Sequence, residues 1–253
     1  MTIWLPNAAL FAHLLAAALQ VTTLFSDRRT LRFSAILCVG FGFGAQTLFF
    51  GQATWQAGYL PVTNLFSTLF FFSWALAGSY LYFELRYRIG AVGLFALSVV
   101  ALLLFGALRQ EPTLPPLIPA LDTPLFTLHV ACSFIGYAMF ALAFSAGVAY
   151  LVPAGLRPQR FPGREPLRRL NEEAVFLGFI FFSLCMISGS FWAAMAWGFW
   201  FSWNIKGVWS FIVWLFYAGM CHAKFIRRWQ GTGYALLSIA GFAIVLHSTD
   251  VRK

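Results

Sequence analysis

Four histidines and a dense run of tryptophans are the side chains in this sequence best placed to do chemistry. Six of the ten tryptophans, Trp192, Trp197, Trp200, Trp203, Trp209 and Trp214, fall in one short window. The aromatic belts of a membrane protein are shared between both faces of the bilayer, so this concentration predicts a flat apolar platform at one place. His129 and His247 fall near the same ends of their apolar runs as that platform, His13 lies near the middle of its run, and His222 lies towards the far end of its own. Two neutral imidazoles facing each other beside indole rings are what bis-histidine ligation of an iron porphyrin needs: ring nitrogens bind the iron and aromatic faces pack on the macrocycle. His129 and His247 are the outer candidate ligands, with Trp197, Trp200, Trp203 and Trp209 as the platform and Lys206 or Arg109 as the cation for the propionates. His222 and His13 are a second, inner pair, although span lengths set them roughly 9 Å apart in depth at about 1.5 Å per residue. The plain alternative for each intramembrane histidine is a hydrogen bond between helices.

No other reactive constellation is visible. The acids, Asp27, Glu84, Glu111, Asp122, Glu165, Glu172, Glu173 and Asp250, fall in loops or at expected helix ends, which predicts capping and solvation rather than paired-carboxylate or zinc chemistry. Cys38, Cys132, Cys185 and Cys221 lie inside apolar runs without a CxxC or CxxCH spacing. That excludes a thioredoxin-type motif and covalent haem attachment to this chain, and leaves the cysteines as small helix-packing residues.

The elements that must position these residues are membrane spans. The chain is 60% hydrophobic and 10% charged, with mean hydropathy +0.77, so it has too little polar surface for water. A span needs roughly 20 apolar residues, and stretches at about 3–25, 33–52, 63–84, 89–107, 124–152, 174–196, 206–225 and 232–249 qualify. The expectation is an all-α polytopic bundle of about eight spans. Thirteen of the seventeen Lys and Arg residues sit in one alternate set of loops. By the positive-inside rule those loops are cytoplasmic, which places both termini and the Trp-rich loop on the non-cytoplasmic side of an inner membrane. The same distribution accounts for the net charge of +9 without nucleic acid. The arginines follow the first apolar run instead of preceding it, so that run reads as a retained span. Five arginines and four prolines between the fifth and sixth runs read as a basic cytoplasmic linker at 153–173, dividing spans 1–5 (1–152) from spans 6–8 (174–253).

The run Gly189, Trp192, Ala193, Trp197-Gly198, Ser202-Trp203-Asn204, Lys206, Trp209 and Trp214 resembles the tryptophan-rich WWD signature of the cytochrome c assembly family. Thr63-Asn64-Leu65-Phe66-Ser67 with Trp74, Leu128-His129-Val130 with Gly136-Tyr137, and Gly178-Phe179 resemble its CcsA/HemX branch. The likeness spans most of residues 60–247. It implies an external platform for b-type haem held without covalent bonds. By position, His129 resembles the outer histidine before the platform, His247 the second outer one, and His222 the intramembrane histidine after it, with His13 as the other inner candidate. The sequence departs from the signature at Asn204 (usually Asp), Ile205 (usually Pro), Gly207 (usually Glu) and Phe201 (usually Trp).

The function so implied is haem binding and presentation at the outer face during cytochrome c maturation, alongside a second maturation protein and apocytochrome c. The resemblance favours a haem-handling or accessory subunit and leaves open whether the protein is itself an enzyme. The alternative is a HemX-like regulator or scaffold that controls a haem-biosynthesis enzyme through residues 157–169.

Overall fold

Apolar runs broken by short polar turns fold into eight helices among the described residues, which are 4–26, 28–114 and 116–250 of the computed structural model. They are α1 (Trp4–Thr23), α2 (Arg29–Ala57), α3 (Leu65–Tyr87), α4 (Gly90–Leu108), α5 (Pro124–Leu151), α6 (Arg164–Trp197), α7 (Ile205–Ala223) and α8 (Thr232–Asp250). Asp27, Arg252 and Lys253 lie outside the described residues. Helices are the open-chain structure that pairs every backbone group internally, as hydrocarbon demands. By length and composition α1, α2, α3, α5 and α6 can each cross a membrane, and α4 and α8 carry the shorter apolar stretches Val92–Leu108 and Thr232–His247. Large apolar side chains such as Phe11, Phe41, Leu102 and Leu184 face outward from these helices. The protein is an all-α, multi-pass membrane bundle.

Local chemistry marks the helix ends. Asn64 opens α3 with a capping box: its Oδ1 accepts from the Ser67 N–H at 2.8 Å, and Ser67 Oγ accepts from the Asn64 N–H at 3.3 Å. Asn64 Nδ2 also donates to the Thr113 carbonyl at 2.7 Å, which ties this turn to the loop after α4. The basic segment behaves differently from the linker expected at 153–173, because α6 begins at Arg164. Pro166 falls in its first turn, where a missing N–H breaks no helical hydrogen bond. Arg168 then pairs with Glu172 at 2.6 Å, one turn along.

The chain divides into two units, residues 1–116 with 152–166, and residues 117–151 with 167–253. The division thus falls before α5, which groups with α6 to α8. In the first unit α1 packs on α2 and α4, and α3 on α2 and α4. Two buried polar chains stitch it. His13 Nε2 lies 3.0 Å from Gln46 Oε1, and Gln46 Nε2 donates to Ser73 Oγ at 2.7 Å, joining α1, α2 and α3. Gln20 Nε2 donates to Tyr80 Oη at 2.7 Å, and Tyr80 donates to Glu84, which holds Arg32 at 3.0 Å and accepts the Ile89 N–H at 2.9 Å. Glu84 is therefore a buried structural anion and not a solvated helix end. Glu84→Ala is expected to lower stability by about 2–3 kcal/mol, since it strands Arg32 and the Ile89 amide. Denaturation of the detergent-solubilised chain followed by far-UV circular dichroism measures this.

In the second unit α8 packs on α5 and α7. Phe140 stacks on Tyr217 with centroids 3.4 Å apart, and Asn171 Nδ2 donates to Ser238 Oγ at 3.0 Å. The indole N–H of Trp214 donates to Ser183 Oγ at 2.9 Å, fixing α7 against α6.

Candidate functional site

Three of the four histidines and the whole tryptophan cluster belong to the second unit. His129 extends from α5 towards α6, and its Nδ1 lies 2.9 Å from the Cys185 carbonyl oxygen. A carbonyl only accepts, so Nδ1 carries the proton and Nε2 keeps its lone pair. Metal-ligating histidines are commonly oriented in this way by a backbone carbonyl. Gly189 makes the approach possible, because a Cβ at that position would collide with His129 Nδ1. Cys185, Gly189 and Trp192 share one face of α6 by their i, i+4, i+7 spacing. The Trp192 indole lies parallel to the His129 ring, 13° between planes and 6.3 Å between centroids. Its N–H donates to the Ala120 carbonyl at 2.7 Å, and Phe126 packs on it with centroids 5.3 Å apart.

Beyond Trp192, Gly198 adopts φ +79°, a left-handed turn suited to glycine that ends α6. The rings on either side of this turn stand in the open: Trp197 is 52% exposed, Trp200 60% and Trp203 81%. Each is braced edge-on, Trp197 by Trp192 at 6.2 Å, Trp200 by Phe191 at 5.1 Å and Trp203 by Phe201 at 4.9 Å between centroids. Trp209 meets the exposed imidazole of His247 edge-on at 4.6 Å. Each outer histidine therefore has an indole against it. Lys206 is near enough to His129 to act on its ring electrostatically, whereas Arg109 belongs to the first unit and lies over Phe105.

Three of the four departures from the signature, at positions 204, 205 and 207, have a local explanation. Asn204 is the N-cap of α7, its Oδ1 accepting the Gly207 N–H at 2.8 Å. Positions 204, 205 and 207 are thus N-cap, first residue and third residue, where Asp, Pro and Glu would form a capping box with a proline at N1. Here the amide retains the cap without the charge. A Cβ at Gly207 would collide with the Ser202 carbonyl, so this path of the loop excludes glutamate. The missing acids change how α7 starts, and the rings remain. Asn204→Ala is expected to cost about 1 kcal/mol while Asn204→Asp keeps the cap; thermal unfolding of the two variants compares them.

The other two histidines sit in contrasting surroundings. His222 is exposed and its Nδ1 lies 2.8 Å from Ala218 O on its own helix, which leaves Nε2 with the lone pair. His13 is fully buried in the first unit, its ring pressed against Gly42, where a Cβ would come within 2.7 Å. The sequence marks Trp192 as part of the tryptophan window without assigning it to the platform, and leaves Cys185 as a packing residue. Their i, i+7 spacing through Gly189 was the available signal.

Together these features define a class: a multi-pass helical membrane protein in which two histidines each lie against an indole and further tryptophans stand exposed. A family model described as "Cytochrome C assembly protein" matches residues 62–249. The cytochrome c biogenesis protein CcsA of Prochlorococcus marinus (strain MIT 9312) is 30% identical in an alignment that covers 75% of this chain and 72% of that protein. CcsA of Microcystis aeruginosa is 29% identical in an alignment that covers 83% of this chain and 79% of the relative. Among solved structures, the cytochrome c heme lyase CcmF matches with a TM-score of 0.71 at 15% identity, over 98% of this chain but 46% of that one, a likeness of fold. The chain belongs to the cytochrome c assembly protein family, which places it in cytochrome c maturation.

Proposed function

We propose that this chain binds haem as a non-covalent cargo on the Trp-rich end of its second unit and presents it there to partners in cytochrome c maturation. The observation that carries this reading is the His129 ring, held by the Cys185 carbonyl with Nε2 free and parallel to Trp192. Haem would supply an iron that accepts ring nitrogens and two anionic propionates. His129 and His247 would hold the iron through their imidazoles. Trp197, Trp200, Trp203 and Trp209 offer ring faces to the macrocycle and exclude water from it, and Lys206 meets a propionate. Asn204 contributes by setting the start of α7, and with it the positions of Lys206 and Trp209. The exposure of the platform suits a cargo that must leave, since a fully enclosed porphyrin could not be handed to an apocytochrome or a second maturation protein.

The exposed ring of His222, with Nδ1 held by Ala218, makes it the inner candidate for haem on its way to the platform. The enclosed ring of His13 serves the fold, tying α1 to α2 through Gln46. The charge asymmetry of the loops supports an inner-membrane location with the platform on the extracytoplasmic side. Haem titrated into the purified apo-chain in detergent tests the reading. A saturable shift of the Soret band at one haem per chain is expected, and its absence counts against haem binding.

A further inference from the structure

The first unit contains a cavity of about 840 Å³ at the end formed by the α1–α2 and α3–α4 turns. Its walls carry Arg28, Arg29, Arg32, Arg88 and Arg160, with Gln20 on the α1 side. These five guanidiniums outnumber the carboxylates of the α1–α2 turn and the α3 C-terminus, Asp27 and Glu84. Glu84 fixes Arg32 in the wall at 3.0 Å. Arg28, Arg29 and Arg88 have no ion-pair partner among the described residues. Arg88 is held at φ +55°, the left-handed region where glycine or asparagine is the usual occupant. A non-glycine side chain there carries roughly 1–2 kcal/mol of strain, the kind retained where a side chain has work to do. Gly90, the first residue of α4, also lines the cavity, and α4 has no side-chain cap.

An apolar track leads away from these cations. Arg29, Phe33, Leu37 and Phe41 follow one another at i+4 along α2, a single row on one face. Phe33, Leu37 and Phe41 are all exposed, and the last two line a groove of about 500 Å³ shared with Phe11 and Leu15 of α1. From Arg29 to Phe41 the row runs about 18 Å at about 1.5 Å per residue, against about 15 Å for half the hydrocarbon thickness.

We propose that this corner is a binding site for an anionic phospholipid, with the phosphate in the arginine cavity and an acyl chain along the Phe33, Leu37 and Phe41 row. A soluble phosphate shares the headgroup chemistry but makes no use of the track. Bidentate guanidinium contacts supply the recognition, and the site stands apart from the haem surface in residues and in chemistry.

Native mass spectrometry of the full chain, offered equal phosphatidylglycerol and phosphatidylcholine, tests the proposal. One phosphatidylglycerol is expected to be retained with roughly tenfold preference. Arg29→Gln and Arg88→Gly should each bring that preference close to unity, and Arg88→Gly should unfold at the same or a higher temperature, because glycine relieves the backbone. Arg169→Gln removes the same charge elsewhere and should leave the preference intact, as should millimolar inorganic phosphate. Equal retention of the two lipids by the unmodified chain, undiminished preference in both cavity variants, or an equal loss in Arg169→Gln would overturn the site. Displacement of the lipid by inorganic phosphate would overturn the lipid assignment in favour of a soluble anion.

Discussion

His129→Ala is expected to weaken haem binding by more than the roughly 10–100-fold that changes behind a metal ligand cost, with little change in helix content. The ring hangs between two helices that are also joined by other contacts, including Phe140 against Phe182 at 6.0 Å between centroids, so its loss does not release α5 from α6. The variant leaves the Cys185 carbonyl without its donor and opens a space bounded by Gly189 and Trp192. Exogenous imidazole fits that space and should restore part of the absorbance. A haem titration with and without imidazole, beside a far-UV circular dichroism spectrum, separates ligand loss from misfolding. Unchanged affinity would remove His129 from the site.

The second large effect comes from a residue that no ligand touches. Gly189→Ala adds one methyl group where His129 Nδ1 now lies. The helix itself has no objection, since alanine is favoured over glycine by about 1 kcal/mol in a helix interior. The imidazole has to yield, which breaks the hydrogen bond to Cys185 and turns Nε2 away from its aim. Haem affinity is expected to fall roughly 10–100-fold with all four histidines present and the unfolding temperature little altered. Wild-type affinity in this variant would show that the bond to Cys185 does not orient a ligand.

Much of this architecture is legible in the sequence because hydrocarbon leaves few choices. An apolar run of sufficient length becomes a helix, and all eight runs did. The tryptophan cluster and the histidines were legible for the same reason, since polar and amphipathic groups are rare enough in such a chain to stand out. What escaped depends on partners distant in sequence. His129 and Cys185 are 56 positions apart, and no periodicity on α5 reveals which carbonyl of α6 receives the ring. Glu84 reads as a solvated helix end, yet Arg32 from another helix turns it into a buried anchor. The linker expected at 153–173 gave way to helix from Arg164 because a proline in a first turn and an Arg168–Glu172 pair favour a start, not a break. At positions 204, 205 and 207 the sequence alone shows departures from the signature and no reason for them. The geometry of α7 shows that they are helix-start positions, and Asn204 still performs the cap.

Electron paramagnetic resonance of the haem-loaded chain in its ferric state tests the central claim most directly. Two imidazoles on one iron give a low-spin spectrum, and His247→Ala, which leaves His129 and the platform in place, should convert it to high spin. A high-spin spectrum from the unmodified chain, or a low-spin spectrum unaltered by His129→Ala and His247→Ala together, would contradict ligation of the haem by these two histidines.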